Sequence, residues 1–283
     1  MLQQNGVGNG SPVHFHISGG TDLLVQKPLH VKNSNPQFLY NKQILQGIKY
    51  ENENCVIGAA TTVTQFAESA IIQEIFPKLS QYIKLISSTP IRNMATLAGN
   101  FVNASPIGDI TIYFLALDAS LVLNKEGLQR TIKLKDFYKG YKQIDKAKDE
   151  IIEAITFLPP QKNELFHFEK VSKRTHLDIA SVNTACHLKL KDDQTIGEIH
   201  LAAGGVFAYP LYLLQTVTFL TGKNITLSIL DEALSIMDGE IAPISDARGT
   251  ERYKRLLLRQ LVLSHFVTFF GPLDPVKKIL NVH

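Results

Sequence analysis

Two stretches of this chain carry residues suited to gripping a polar ligand. The first is Ser18-Gly19-Gly20-Thr21-Asp22, which follows the alternating Val13-His14-Phe15-His16-Ile17 and precedes Leu23-Leu24-Val25. A strand that runs into a Gly-Gly turn lets successive backbone N–H groups converge on an anion, and the hydroxyl and acid beside it add hydrogen-bonding arms. That composition suits a diphosphate cradle, although ordinary turns share it. The second stretch runs from Thr89 to Asp109. It holds Gly99 and Gly108, Pro90 and Pro106, three Asn, and only Arg92 and Asp109 as charges. Its prolines and glycines argue against a helix, and its shortage of β-branched residues argues against a strand. The stretch is predicted to be a loop whose backbone passes close to a ligand, with Asn, Thr and Ser as short polar arms. A buried loop between a helix and a strand explains the same composition, and on this stretch alone both readings stand.

The elements around these stretches follow from periodicity. Cys55 to Ala60 reads as a buried strand, and Thr64 as the cap of a helix over 65–75 with Phe66, Ala70 and Ile71 inward. Pro77 opens a second helix whose inner face is Leu79, Tyr82, Ile83 and Ile86. Strands are predicted at 119–123, 130–134 and 150–157, after which Pro159-Pro160 marks a domain boundary. Beyond it, 166–171, 181–190 and 198–203 read as three antiparallel strands, with a turn at Asp192-Asp193-Gln194. Helices follow at 211–222 and 228–237, and a last one runs from Thr250 to Gly271-Pro272. Strands followed by helices indicate an α+β arrangement.

Bulk properties narrow the function classes. The chain has 283 residues, 45% hydrophobic and 19% charged, with a net charge of +3. It is therefore globular, long enough for two domains, and too weakly basic to suggest nucleic acid. Two distant cysteines, Cys55 and Cys186, exclude a Cys-ligated iron–sulfur cluster or four-Cys zinc site within the chain, and read as buried reduced thiols of a cytoplasmic protein. The start lacks the pattern of a signal peptide, and the uncharged run from Leu201 to Lys223 is broken by Gly204-Gly205 and Pro210, so no membrane span is expected. The run Gly6, Gly8, Gly10 lacks the strand and helix that a dinucleotide fingerprint needs. His14 and His16 share a strand face, but no third metal ligand is assigned.

Taken together, several motifs resemble a known family. These are Gly19-Gly20-Thr21-Asp22-Leu23, Ile57-Gly58-Ala59-Ala60-Thr61-Thr62, the run Ile91 to Asn100, Ala104 to Asp109, Leu115 to Ala119, and Phe137 to Tyr141. Asp149 to Ile152, Lys170 to Arg174 with Asp178-Ile179-Ala180, Gly204-Gly205-Val206 with Pro210, and Arg248 to Lys254 continue the series. In order and spacing, from about Ile17 to Phe270, the chain resembles the FAD-binding (medium) subunit of the molybdenum hydroxylases, the xanthine dehydrogenase and carbon monoxide dehydrogenase group. The resemblance implies an α+β fold. Residues 1–160 would form a PCMH, or vanillyl-alcohol-oxidase-type, FAD domain with subdomains of about 1–52 and 53–160, and 161–283 an antiparallel sheet with helices of the CO dehydrogenase flavoprotein C-terminal type. It also implies that Ile17, Ser18, Gly19, Gly20, Thr21, Asp22 and Leu23 wrap the FAD pyrophosphate, and that Thr96, Gly99 and Asn100 line its other side. Asp109 would be a polar contact, with Ile86, Ile152 and Lys170 also touching FAD. A cation at Lys170 would favour the reduced, anionic flavin; a surface strand lysine is the alternative.

The same resemblance implies an oxidoreductase subunit that performs no substrate chemistry itself. A molybdenum-binding large subunit, carrying molybdopterin, would oxidise the substrate. A small subunit would relay electrons through [2Fe–2S] to FAD, and these would leave to NAD⁺ or another acceptor. Related enzymes attach flavin through a His beside the Gly-Gly turn; Thr21 stands there, so FAD is expected to be non-covalent. Two departures stand out: few residues precede the Gly-Gly motif, which implies an open adenine end, and Ala98 replaces a common Gly. Two other readings remain, a free-standing FAD oxidase and a scaffold subunit that has lost FAD.

Overall fold

A computed structural model describes residues 15–271. The Gly6–Gly10 run, Val13, His14 and Pro272 lie outside these residues. Strand β1 (Phe15–Ile17) pairs in parallel with β2 (Pro36–Phe38), and the connection carries two short helices, α1 (Leu23–Gln26) and α2 (Pro28–Asn33). The chain then forms β3 (Ile48–Glu51) and β4 (Asn54–Gly58), and enters six short helices. These are α3 (Val63–Glu68), α4 (Ala70–Ile75), α5 (Leu79–Ile83), α6 (Thr89–Met94), α7 (Leu97–Asn103) and α8 (Asp109–Leu115). Next come β5 (Ser120–Lys125), β6 (Leu128–Lys133), α9 (Leu134–Phe137), the hairpin of β7 (Tyr138–Gly140) with β8 (Gln143–Ile144), and β9 (Ile151–Phe157). One antiparallel sheet has the order β3-β4-β9-β5-β6.

The second half contributes β10 (Glu164–Val171), β11 (Val182–Leu190), β12 (Ile196–Gly204) and β13 (Leu211–Tyr212), antiparallel in that order. Helices α10 (Leu214–Leu220), α11 (Leu227–Glu240) and α12 (Glu251–Phe270) follow. Strand β11 is buried along most of its length because both faces are covered. Val182, Cys186 and Leu188 join the core under the helices, while Ala185, with Ala202 of β12 and Phe168 of β10, joins the core of the first half. Phe168 thus sits among Tyr82 and Tyr113, at ring-centroid distances of 5.8 and 6.2 Å.

Thr89–Asp109 is not a loop. It is two helices and the start of a third, because the disfavoured residues fall where helices begin. Pro90 lies in the first turn of α6, where its missing N–H costs nothing, and Thr96 caps α7 by accepting the Gly99 N–H at 3.2 Å. The helix expected over 65–75 is likewise two helices. Its cap is Thr62, not Thr64, in a reciprocal capping box with Gln65. Leu211-Tyr212 is a strand, so the following helix starts later than expected.

Candidate functional site

The glycine turn is held against the junction of α6 and α7. A Cβ on Gly19 would lie 1.8 Å from the Met94 carbonyl oxygen, so only glycine permits this approach. Gly20 has φ +68°, the left-handed region that favours glycine. Asp22 closes the turn by accepting from the Asn103 side chain at the end of α7, whose own carbonyls are gripped by Lys142. Tyr40 donates to the Asn93 carbonyl at 3.1 Å and fastens the next segment to the same junction.

The turn has donors to offer. Among the described residues, the N–H groups of Gly19, Gly20, Thr21, Asp22 and Leu23 donate to no protein acceptor, and the buried Ser18 hydroxyl has no partner. A buried hydroxyl without a partner is costly unless something meets it, and consecutive free N–H groups in a tight turn suit a diphosphate. The residues present therefore fit the phosphate end of a dinucleotide such as FAD.

The other expected site residues lie at α7, in the first core, at the start of α8 and on β10. Thr96 is buried and engaged as the α7 cap, and a Cβ on Gly99 would meet its hydroxyl at 2.7 Å, so bulk at Gly99 disturbs the cap as well as any ligand. Asn100 accepts from the Thr111 N–H and hydroxyl at 3.2 and 2.8 Å and ties α7 to α8. Ile86 and Ile152 are buried in the first core. Arg92 and Asn93 are structural. Arg92 donates to the Ile86 and Ser87 carbonyls at 2.9 and 2.6 Å, bracing a turn in which Ser87 has φ +51°, and Asn93 accepts from Thr64 at 2.6 Å.

Asp109 and Lys170 meet each other. The Lys170 ammonium lies 2.7 Å from Asp109 Oδ2, and its side chain is only 2% exposed. It is not a surface lysine. Asp109 Oδ1 accepts from Asn183 Nδ2 at 2.5 Å. Burial holds the Asp109 carboxyl above its ordinary range, and the Lys170 charge and both hydrogen bonds offset only part of that rise. Sequence reasoning missed Asn183 as a partner in this region; no local motif marks it, since its role depends on a carboxylate far away in the chain.

Cys55 and Cys186 are free and buried, and burial pushes the Cys55 thiol up to about 12. Among the described residues, no group of three or more His, Cys, Asp or Glu could hold a metal, and no helix is long and apolar enough to cross a membrane.

Comparison with known proteins agrees with this geometry. The family described as FAD binding domain in molybdopterin dehydrogenase matches residues 8–160, and the CO dehydrogenase flavoprotein C-terminal domain matches 167–268. The glyceraldehyde dehydrogenase medium chain of Sulfolobus acidocaldarius is 27% identical over 88% of this chain and 88% of its own. The xanthine dehydrogenase FAD-binding subunit of Escherichia coli O157:H7 is 29% identical over 90% and 89%. The solved carbon monoxide dehydrogenase from Hydrogenophaga pseudoflava superposes with a TM-score of 0.81, at 25% identity over 89% of this chain and 88% of that one. A glycine turn with unmet donors, the paired FAD and C-terminal domains and these likenesses converge: the chain belongs to the FAD-binding subunits of the molybdenum hydroxylase family of oxidoreductases.

Proposed function

We propose that this chain is the electron-transfer flavoprotein of a cytoplasmic molybdenum-containing hydroxylase or dehydrogenase complex. Its partners would be a molybdenum-binding large subunit with molybdopterin and a [2Fe–2S] small subunit. Electrons enter from the [2Fe–2S] side and leave to NAD⁺ or another acceptor. The observation that carries this reading is the set of unmet N–H donors and the orphaned Ser18 hydroxyl at the Gly19-Gly20 turn. The names of the relatives, a xanthine dehydrogenase FAD-binding subunit and a glyceraldehyde dehydrogenase medium chain, support a place within a larger complex.

Bound FAD supplies the redox chemistry, and the chain's work is to bind, orient and shield it. Ile17 to Leu23 would hold the diphosphate through backbone donors. Thr96, Gly99 and Asn100 would form the facing wall, and Ile86 and Ile152 would keep water from the apolar end. Thr21 offers no imidazole for covalent attachment, so FAD is held non-covalently. We read residues 1–160 as the FAD domain, with subdomains of about 1–52 and 53–160, and 161–283 as the C-terminal domain; the five-stranded sheet before residue 160 and the four-stranded sheet after it support the division at that point, and β3 joins the sheet of the second subdomain.

Affinity purification from the native host tests the reading. Flavin absorbance together with co-purifying molybdenum and [2Fe–2S] chains is expected, with the colour moving to the supernatant on acid precipitation. A lone yellow oxidase, or a colourless chain that takes up no FAD, would refute it.

A further inference from the structure

We propose that Arg92 is a positioning residue for the flavin end of the site: from α6 it fixes the turn that presents Ile86, while the far end of the same helix seats the Gly19-Gly20 turn. The inference rests on the reading above that Ile86 borders the flavin and that the glycine turn holds the diphosphate. Arg92 reaches back over the start of its own helix. Its Nη1 donates to the Ile86 carbonyl at 2.9 Å and to the Ser87 carbonyl at 2.6 Å, and its Nη2 donates to the Thr89 hydroxyl at 2.9 Å. Among the described residues, neither carbonyl has another protein donor.

The turn needs that brace. Ser87 has φ +51°, a left-handed conformation that costs any residue with a Cβ, so the backbone does not hold this shape by its own preference. Ser88, which opens α6, makes no side-chain cap. A planar fork of donors on consecutive carbonyls supplies what the local sequence lacks. The opposite end of α6 is tied to the other part of the pocket. The Asn93 carbonyl accepts from the Tyr40 hydroxyl at 3.1 Å, the Asn93 side chain accepts from Thr64 at 2.6 Å, and the Met94 carbonyl is the group on which Gly19 packs. The six residues of α6 rise about 9 Å, and a helix that short does not persist alone, so these end contacts hold it. Helix α6 thus spaces the diphosphate turn from the Ile86 turn, and Arg92 is the side chain through which that spacing reaches the flavin end.

Two ligands separate the ends of the site: FAD spans both, whereas ADP-ribose carries the diphosphate without the flavin ring. In the full chain freed of flavin, Arg92→Leu is expected to weaken FAD binding by about tenfold and ADP-ribose binding by less than about threefold. At saturating FAD, the visible circular dichroism of the bound flavin should change shape. Adding Ser87→Gly should restore much of the lost FAD affinity, because glycine adopts the left-handed conformation without a brace. Equal losses for both ligands, or an unchanged FAD affinity, would overturn the proposal. So would a double variant no better than Arg92→Leu, since the guanidinium would then act by its charge and not by shaping the turn. If Arg92→Leu does not fold, Arg92→Lys replaces it. Its ammonium keeps the charge and lacks the fork, so the same selective loss of FAD is expected, and equal losses again overturn the assignment. A wild-type chain that takes up neither FAD nor ADP-ribose would instead sink the underlying functional reading.

Discussion

Gly19 shows how much of the site hangs on single atoms. Its missing Cβ allows contact with a backbone carbonyl that has no rotamer by which to yield. Gly19→Ala must therefore shift the turn, and FAD affinity is expected to fall by about tenfold or more, equivalent to losing one or two charge-assisted hydrogen bonds. The flavin content of the purified variant measures this. Another residue-scale prediction concerns pH. His167 and His265 face each other with Nδ1 atoms 2.9 Å apart, and burial pulls the His167 imidazole down to about 4. The unfolded chain binds its proton near the ordinary value of 6.5 while the folded chain resists. This contribution to stability is complete above about 6.5 and is lost as pH falls toward about 4. The groups facing the pair are Glu169, 3.3 Å from His167, and Thr184, 3.3 Å from His265. Melting curves of His167→Phe across this range should show a flatter acid limb than wild type.

At the scale of elements, the wall of the site is built from helices too short to persist alone, so caps and tertiary ties decide whether they form. Thr96 caps α7 and also forms an isolated antiparallel bridge to Thr62, the cap of α3. Thr96→Ala should cost about 1 kcal/mol of stability, the usual loss for an N-cap hydroxyl, readable by chemical denaturation with FAD absent. An unchanged midpoint would show that the Thr62–Thr96 bridge holds α7 without the hydroxyl. The sequence made these helices hard to see. Pro90 and Gly99 are poor helix residues in a helix interior and acceptable ones in a first turn, and local composition does not reveal which position they occupy.

At the scale of the whole molecule, the C-terminal sheet is a shared wall. One face is buried by α10–α12, and the other presents Phe168, Ala185 and Ala202 to the core of the FAD half. Phe168→Ala should destabilise by about 3–5 kcal/mol, the range for truncating a buried aromatic, and loosen both halves. Hydrogen exchange would report faster opening around Tyr82 and Tyr113 as well as in β10. Protection lost only in the C-terminal half would show that the two cores are independent.

The sequence by itself determined the family, the α+β class, most strands of the two larger sheets and the Gly19-Gly20 turn, but not the short β13, which read as the start of a helix. These depend on patterns that neighbouring residues impose: alternation, caps, and glycines that no other residue replaces. The tertiary structure alone decided the partners of the charged groups. Lys170 is separated by long stretches of chain from Leu85 and Asp109, and neither its residue type nor its place on a strand says which acceptors its ammonium meets. A buried charge takes whatever acceptors the fold brings to it, and that depends on how two sheets and a set of short helices close around it.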